Sequence, residues 1–239
     1  MEISENFKMK DIRQSENWGK YLETLGWKYY KVDGVLVFVR SLGFASVIKI
    51  QRPVIPSNQT VIPAKAGIQA EGGWIPDQVR DDNIGVWNDE NYVIKKIDEL
   101  ALANKALFVK CEVTNAEDEK VLIENGFKRN LFPLVNPSTV ILNLKLSESE
   151  LWGNLKKDAK QSIKKSEVEI KFYKNADVEI RKVFWELLNK CGKEKGFYVQ
   201  PYSDLNSKIE IFKEESVISL AYFNGVAVAG ALILNFDGN

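Results

Sequence analysis

Between Thr139 and Phe172 the sequence TVILNLKLSESELWGNLKKDAKQSIKKSEVEIKF predicts a strand, a capped helix and a second strand, the repeating step of an α/β domain. Leu151, Leu155, Ala159 and Ile163 recur every fourth residue and so share one face of a single continuous helix. Lys156, Lys160 and Lys164 form a parallel row one residue on, about 100° further round the axis. Ser147 at the N-cap with Glu150 three residues later is a capping box, and Glu148 and Glu150 suit the positive end of the helix dipole. The expectation is a buried apolar seam flanked by lysines, which form a solvated face or an anion-binding edge.

The rest of the chain follows the same alternation. Ser15–Leu25 predicts a helix stopped by Gly26, and Trp27–Val32 and Val35–Arg40 predict strands about Asp33-Gly34, a two-residue hairpin turn. Phe44–Arg52 predicts a third strand. A helix over Asp89–Asn104 buries Val93, Ile94, Ile97, Leu100 and Ala101. A strand over Ala106–Val113, a helix over Ala116–Asn125 closed by Gly126, and a strand near Phe127 follow. Beyond Val168–Tyr173, a strand, come helices over Asp177–Lys193 and Tyr202–Lys213. Val217–Phe223 and Val226–Asn235 then form a hairpin about Asn224-Gly225. The last strand, VAVAGALILNF, is apolar almost throughout, the pattern of a central strand with a neighbour on each side. As an open edge it would invite aggregation, so the chain reads as truncated.

Residues 54–87 break the pattern. Ile-Pro occurs at 55–56, 62–63 and 75–76 among glycines and polar residues, and so long a structureless loop is foreign to a compact domain. Ile62-Pro63-Ala64 can be encoded ATT CCC GC and Ala66-Gly67-Ile68 GCG GGA AT, which are reverse complements. VIPAKAGIQ and WIPDQVRDDN thus resemble a translated palindromic repeat, and residues 58–83 are read as an insertion without chemistry. A functional lid is the rival reading. Removing Lys65, Arg80, Glu71, Asp77, Asp81 and Asp82 leaves a slight excess of basic residues.

The 239 residues carry 33 basic and 33 acidic side chains, so no global field draws the protein to nucleic acid. There is no histidine, which excludes Ser-His-Asp and Cys-His catalysis and removes the commonest zinc ligand. Cys111 and Cys191 have no metal-type spacing and read as buried thiols. No phosphate-binding P-loop, dinucleotide fingerprint or nucleophile elbow is present, and Gly225–Gly230 lies in a hairpin. With no signal-peptide core and no long apolar run, a cytoplasmic location is expected. Two polar groupings remain as candidates. Lys28 and Lys31 follow the first helix on a strand, where they can meet a phosphate. Lys193, Lys195, Tyr198, Gln200 and Tyr202 lie in KEKGFYVQPYSDL, a loop marked by Gly196 and Pro201.

Taken in order, these elements resemble the FemABX family, the aminoacyltransferases that build the peptide cross-bridge of peptidoglycan. The resemblance rests on four segments: QSENWGKYLETLGWKYYKVDG; ALFVKCEVTNAEDEKVLIENGFKRN with Asn136-Pro137-Ser138-Thr139; the 147–163 helix with Lys160 and Ile163; and the glycine-centred loop before a short helix. It implies an α/β (α+β) fold of tandem acetyltransferase-like (GNAT) domains, the first over 1–145 and the second over 146–239, the latter incomplete. It further implies transfer of an amino acid from aminoacyl-tRNA to the stem peptide of a UDP-linked or lipid-linked muramyl peptide. No cofactor is implied, and peripheral membrane contact through a lipid-linked substrate is. Carried over residue by residue, the acceptor diphosphate meets Lys28 or Lys31, while Gln200 stands where the family has an arginine and Tyr202 matches its tyrosine. The alternatives are an N-acyltransferase that uses acyl-CoA and a non-catalytic remnant.

Overall fold

A computed structural model describes residues 11–53, 92–130 and 142–236. The expected insertion and the start of the strand expected from Thr139 lie outside these residues; Leu142–Leu146, which lead to the capped helix, are not a strand. The chain forms two compact units, Met1–Arg129 and Asn130–Asn239.

In the first unit, β1 (Lys28–Val32), β2 (Val35–Ser41), β3 (Ser46–Gln51) and β4 (Ala106–Glu112) form one sheet in that order. The first three strands are antiparallel, and β4 runs parallel to β3, the arrangement that a helical crossover permits. Asp33 and Gly34 have φ of 45° and 85°, so both central residues of the turn are left-handed and its twist matches that of the strands. β2 is buried from Val35 to Val39, because helices cover both faces of the sheet. Val32, Val35, Val37, Val39, Ile48 and Ile50 pack with Val93, Ile94, Ile97 and Leu100 of α2 (Tyr92–Ala103) and with Leu122 of α3 (Ala116–Glu124). The opposite face meets α1 (Glu16–Thr24), whose Gly19 lies against the Tyr29 ring. Gln14, buried in a preceding 3-10 turn, accepts from the Leu36 amide at 2.7 Å and donates to Gln51 O at 2.6 Å, tying β2 to β3.

In the second unit β6 (Ser216–Phe223) is central, with β5 (Glu169–Lys174) and β7 (Val226–Leu234) antiparallel on either side. Asn224 and Gly225, at φ 49° and 78°, form the expected hairpin turn. Ile218 and Leu220 face α6 (Val178–Lys195) and α7 (Tyr202–Phe212), packing with Phe184, Leu205 and Ile209. The partners of the other parity, Ile170 and Phe172 on β5 and Ile233 on β7, are 56%, 68% and 47% exposed.

Several expectations are corrected. The single helix over the Leu151–Ile163 seam is two helices, α4 (Glu148–Asn154) and α5 (Lys157–Lys165). The capping box at Ser147 and Glu150 forms, but Leu155 and Lys156 are extended, with ψ of 142° and 151°. Gly153 and Asn154 are weak helix formers, and no residue of either helix is buried to hold the seam straight. Leu155 and Ile163 are 37% and 52% exposed. The lysine row turns back onto α4: Lys160 donates to Gly153 O at 2.8 Å, and Lys164 lies 5.9 Å from the Trp152 ring. Lysine there caps the negative end of α4, a use of its charge that the spacing alone did not reveal.

The residues from Phe127 to Asn130 are not a strand, although Phe127 packs on the first core. Among the described residues β7 pairs with β6 alone. An apolar run fixes neither the number of its neighbours nor which strand is central. Cys111 is partly buried as expected, and desolvation pushes its thiol up to about 12, leaving it unreactive. Cys191, read as buried, is exposed on α6.

Candidate functional site

The candidate residues fall in both units. On β1, Lys28 is the partner of Val39 and Lys31 the partner of Leu36. Val39 belongs to the core beneath α2, whereas Leu36 is on the α1 side. Lys28 and Lys31 therefore leave opposite faces of the strand, as a spacing of three demands, and one phosphate cannot lie against both. Both are exposed.

The loop between α6 and α7 is built on two glycines. Gly196 ends α6 in the left-handed conformation, φ 74°, and its amide donates to Gly192 O at 2.8 Å. The Phe197 amide donates to the same carbonyl at 3.1 Å, which turns the chain back over the helix. A Cβ at Gly192 would meet Val199 Cγ2 and lie 3.0 Å from Phe197 O. Only glycine allows that approach.

The fold back brings Gln200 and Tyr202 to Trp185 of α6. Trp185 Nε1 donates to Gln200 O at 3.0 Å, and its ring meets Tyr202 edge-on at 6.1 Å. The Tyr202 hydroxyl is 3.5 Å from Val178 O, at the outer limit of a hydrogen bond. Lys208, one turn and a half into α7, places Nζ 3.5 Å from Gln200 Oε1. Burial pushes the Lys208 ammonium down from the ordinary lysine range, opposed by the Asp204 carboxylate. A phenol, a carboxamide and a partly desolvated ammonium thus lie around one loop, the phenol turned to Val178 O and the ammonium to Gln200 Oε1.

Sequence reasoning found Gln200 and Tyr202 but missed Trp185 and Lys208. The available signal was spacing: Trp185 follows Arg181 by four on α6, and Lys208 lies between Leu205 and Ile209, both buried. Lys193 and Lys195 stand exposed in the last turn of α6, where they complement its dipole. Tyr198 is 82% exposed and is not drawn into the cluster. Among the described residues no group of carboxylates and cysteines is placed to hold a metal ion, and no helix is long and apolar enough to cross a membrane.

No protein-family profile matches the sequence, and no curated protein matches it. Among solved structures it is similar to the crystal structure of FemX, with a TM-score of 0.59 and 16% identity over 88% of this chain and 52% of that one. The chain has a FemX-like fold. The mixed sheets and helices described above are those of a GNAT-like α+β architecture, as expected from the sequence. The chain spans about half the length of FemX, and at this identity the likeness establishes fold.

Proposed function

We propose that this chain binds the acceptor of a peptidoglycan aminoacyltransferase, a UDP-linked or lipid-linked muramyl peptide, and takes part in moving an amino acid onto its stem peptide from aminoacyl-tRNA. The observation that carries this reading is the FemX-like fold over 88% of the chain, joined to the FemABX-like segments of the sequence. Each unit is read as one GNAT-like domain, acting in the cytoplasm. In the first unit Lys28 or Lys31 is the candidate contact to the acceptor. In the second unit the candidates are Gln200, Tyr202 and Lys208, the ammonium of Lys208 standing in for the guanidinium expected at Gln200.

The chemistry asks little of the protein. The stem-peptide amine attacks the aminoacyl ester carbon, a C–N bond forms, the ester C–O bond breaks, and the ribose oxygen of the tRNA leaves. An activated ester needs its partner positioned and its amine deprotonated, not a covalent intermediate, which suits a chain without histidine.

The test is calorimetric titration with a UDP-linked muramyl pentapeptide. Wild type is expected to bind, with Tyr202→Phe and Lys208→Met each weakening affinity about tenfold, the loss of one hydrogen bond to a charged group. Lys28→Met and Lys31→Met are expected to differ, because the two side chains leave opposite faces of β1. Absence of binding, or equal affinity in all four variants, rejects the assignment.

A further inference from the structure

The α1 side of the first sheet carries a group of cations that the acceptor assignment does not use. Lys49 on β3 is the register partner of Phe38 on one side and of Lys110 on the other. Trp27, one residue before β1, stands abreast of Arg40. Lys49 Nζ lies 4.2 Å from the Trp27 ring centre and 5.8 Å from that of Phe38, while Arg40 Cζ lies 5.8 Å from the same tryptophan. Arg13, on the 3-10 turn ahead of α1, adds its charge to the group.

This arrangement is electrostatically unfavourable as it stands. Lys49 and Lys110 are register partners on parallel strands, and the cations that act on Lys49 are Arg40 and Arg13. Among the described residues none of Arg13, Arg40, Lys49 and Lys110 forms an ion pair. The carboxylate closest in effect is Glu112, and its buried Oε2 has no hydrogen-bond donor; Arg13 Nη1 is likewise buried without an acceptor. Burial and the neighbouring guanidinium groups push Lys49 below the ordinary lysine range. Lys49, Arg40 and Arg13 share one carboxylate, Glu112, a local conflict of the kind that marks a functional site. The open end is not featureless: Trp27 is half-buried and Phe108, of the same strand parity as Lys110, is 57% exposed.

We propose that Arg40, Lys49 and Lys110, with Trp27 beside them, form a binding site for a phosphate-bearing ligand. The phosphoryl oxygens take the place of the missing counter-charge beside Arg40 and Lys49, with Lys110 next to Lys49 in register. The site is separate from the Gln200–Tyr202 cluster and does not depend on the acceptor assignment.

The test uses the whole chain with two probes, inorganic pyrophosphate and a short single-stranded oligoribonucleotide, read by calorimetry and thermal melting at two salt concentrations. At least one probe is expected to bind and raise the melting temperature, with affinity falling as salt rises. The probe that binds more tightly distinguishes a free diphosphate from a phosphodiester chain. Arg40→Gln, at an exposed position, is expected to weaken binding several-fold. The Lys49→Gln/Lys110→Gln pair is expected to weaken it at least tenfold while the unliganded variant melts no lower than wild type, since a repulsion has been removed. Failure of both probes to bind, undiminished binding in the double variant, or a double variant that melts well below wild type would overturn the site.

Discussion

Gly192→Val is expected to destabilise the second unit by about 1–3 kcal/mol, the range of an overpacked core position. The cause is local. The loop that carries Gln200 and Tyr202 folds back over α6 at this residue, with Val199 Cγ2 against the place where a Cβ would stand and Phe197 O 3.0 Å from it. The methyl of Val199 can rotate away, but the carbonyl is backbone and is held by the turn that the Phe197 and Gly196 amides make on Gly192 O. Replacing a mid-helix glycine ordinarily gains up to about 1 kcal/mol in helix propensity, less for a β-branched residue. That gain is smaller than the overpacking cost, so the sign is destabilising. Urea unfolding is the measurement, and adding Val199→Ala to Gly192→Ala is expected to recover little of the loss, because the Phe197 carbonyl stays in place. An unchanged midpoint in Gly192→Val would mean that the loop does not pack on the helix as described.

Arg181→Met is expected to cost about 3 kcal/mol. Arg181 is only 7% exposed, and its guanidinium donates from Nε to Ala176 O at 2.6 Å and from Nη1 to Asn206 Oδ1 at 2.7 Å and Glu210 Oε1 at 3.2 Å. Methionine preserves much of the volume, so the loss is polar. The buried Ala176 carbonyl loses its donor, at about 1–3 kcal/mol, and the tie between α6 and α7 goes with it. Glu210→Gln supplies the contrast. That carboxylate is 60% exposed and returns to water, so its loss is expected to stay below about 1 kcal/mol. Denaturant midpoints for the two variants distinguish a buried cation held by its neighbours from an ordinary surface pair, and similar losses in both would contradict the description.

These residues also mark the limits of what was legible beforehand. The turns at Asp33-Gly34 and Asn224-Gly225 were readable because two consecutive left-handed residues have a narrow chemistry. The faces of α2 were readable because Val93, Ile94, Ile97 and Leu100 recur at helical spacing and do pack on the sheet. The same reasoning over Leu151–Ile163 produced a buried seam that is not there, since periodicity states which residues share a face and not whether another element covers it. Arg181 and Lys208 sit on helix faces beside buried apolar neighbours, and a single polar residue in such a row reads as noise. The opposed directions of Lys28 and Lys31 were implicit in strand geometry, but the partners Val39 and Leu36 had to be known before each could be assigned a face. The cations around Trp27 come from three strands and a 3-10 turn, so no local pattern joins them.

The central claim is that this chain handles a muramyl-peptide acceptor and an aminoacyl donor. Its most direct test supplies the purified chain with tRNA charged with a radiolabelled amino acid and with a UDP-linked muramyl pentapeptide, and follows the label by chromatography. The account predicts label in the muramyl peptide as a new amide, reduced in Tyr202→Phe and Lys208→Met. Label that stays on tRNA in the presence of bound acceptor, or that moves equally well in those variants, would contradict it.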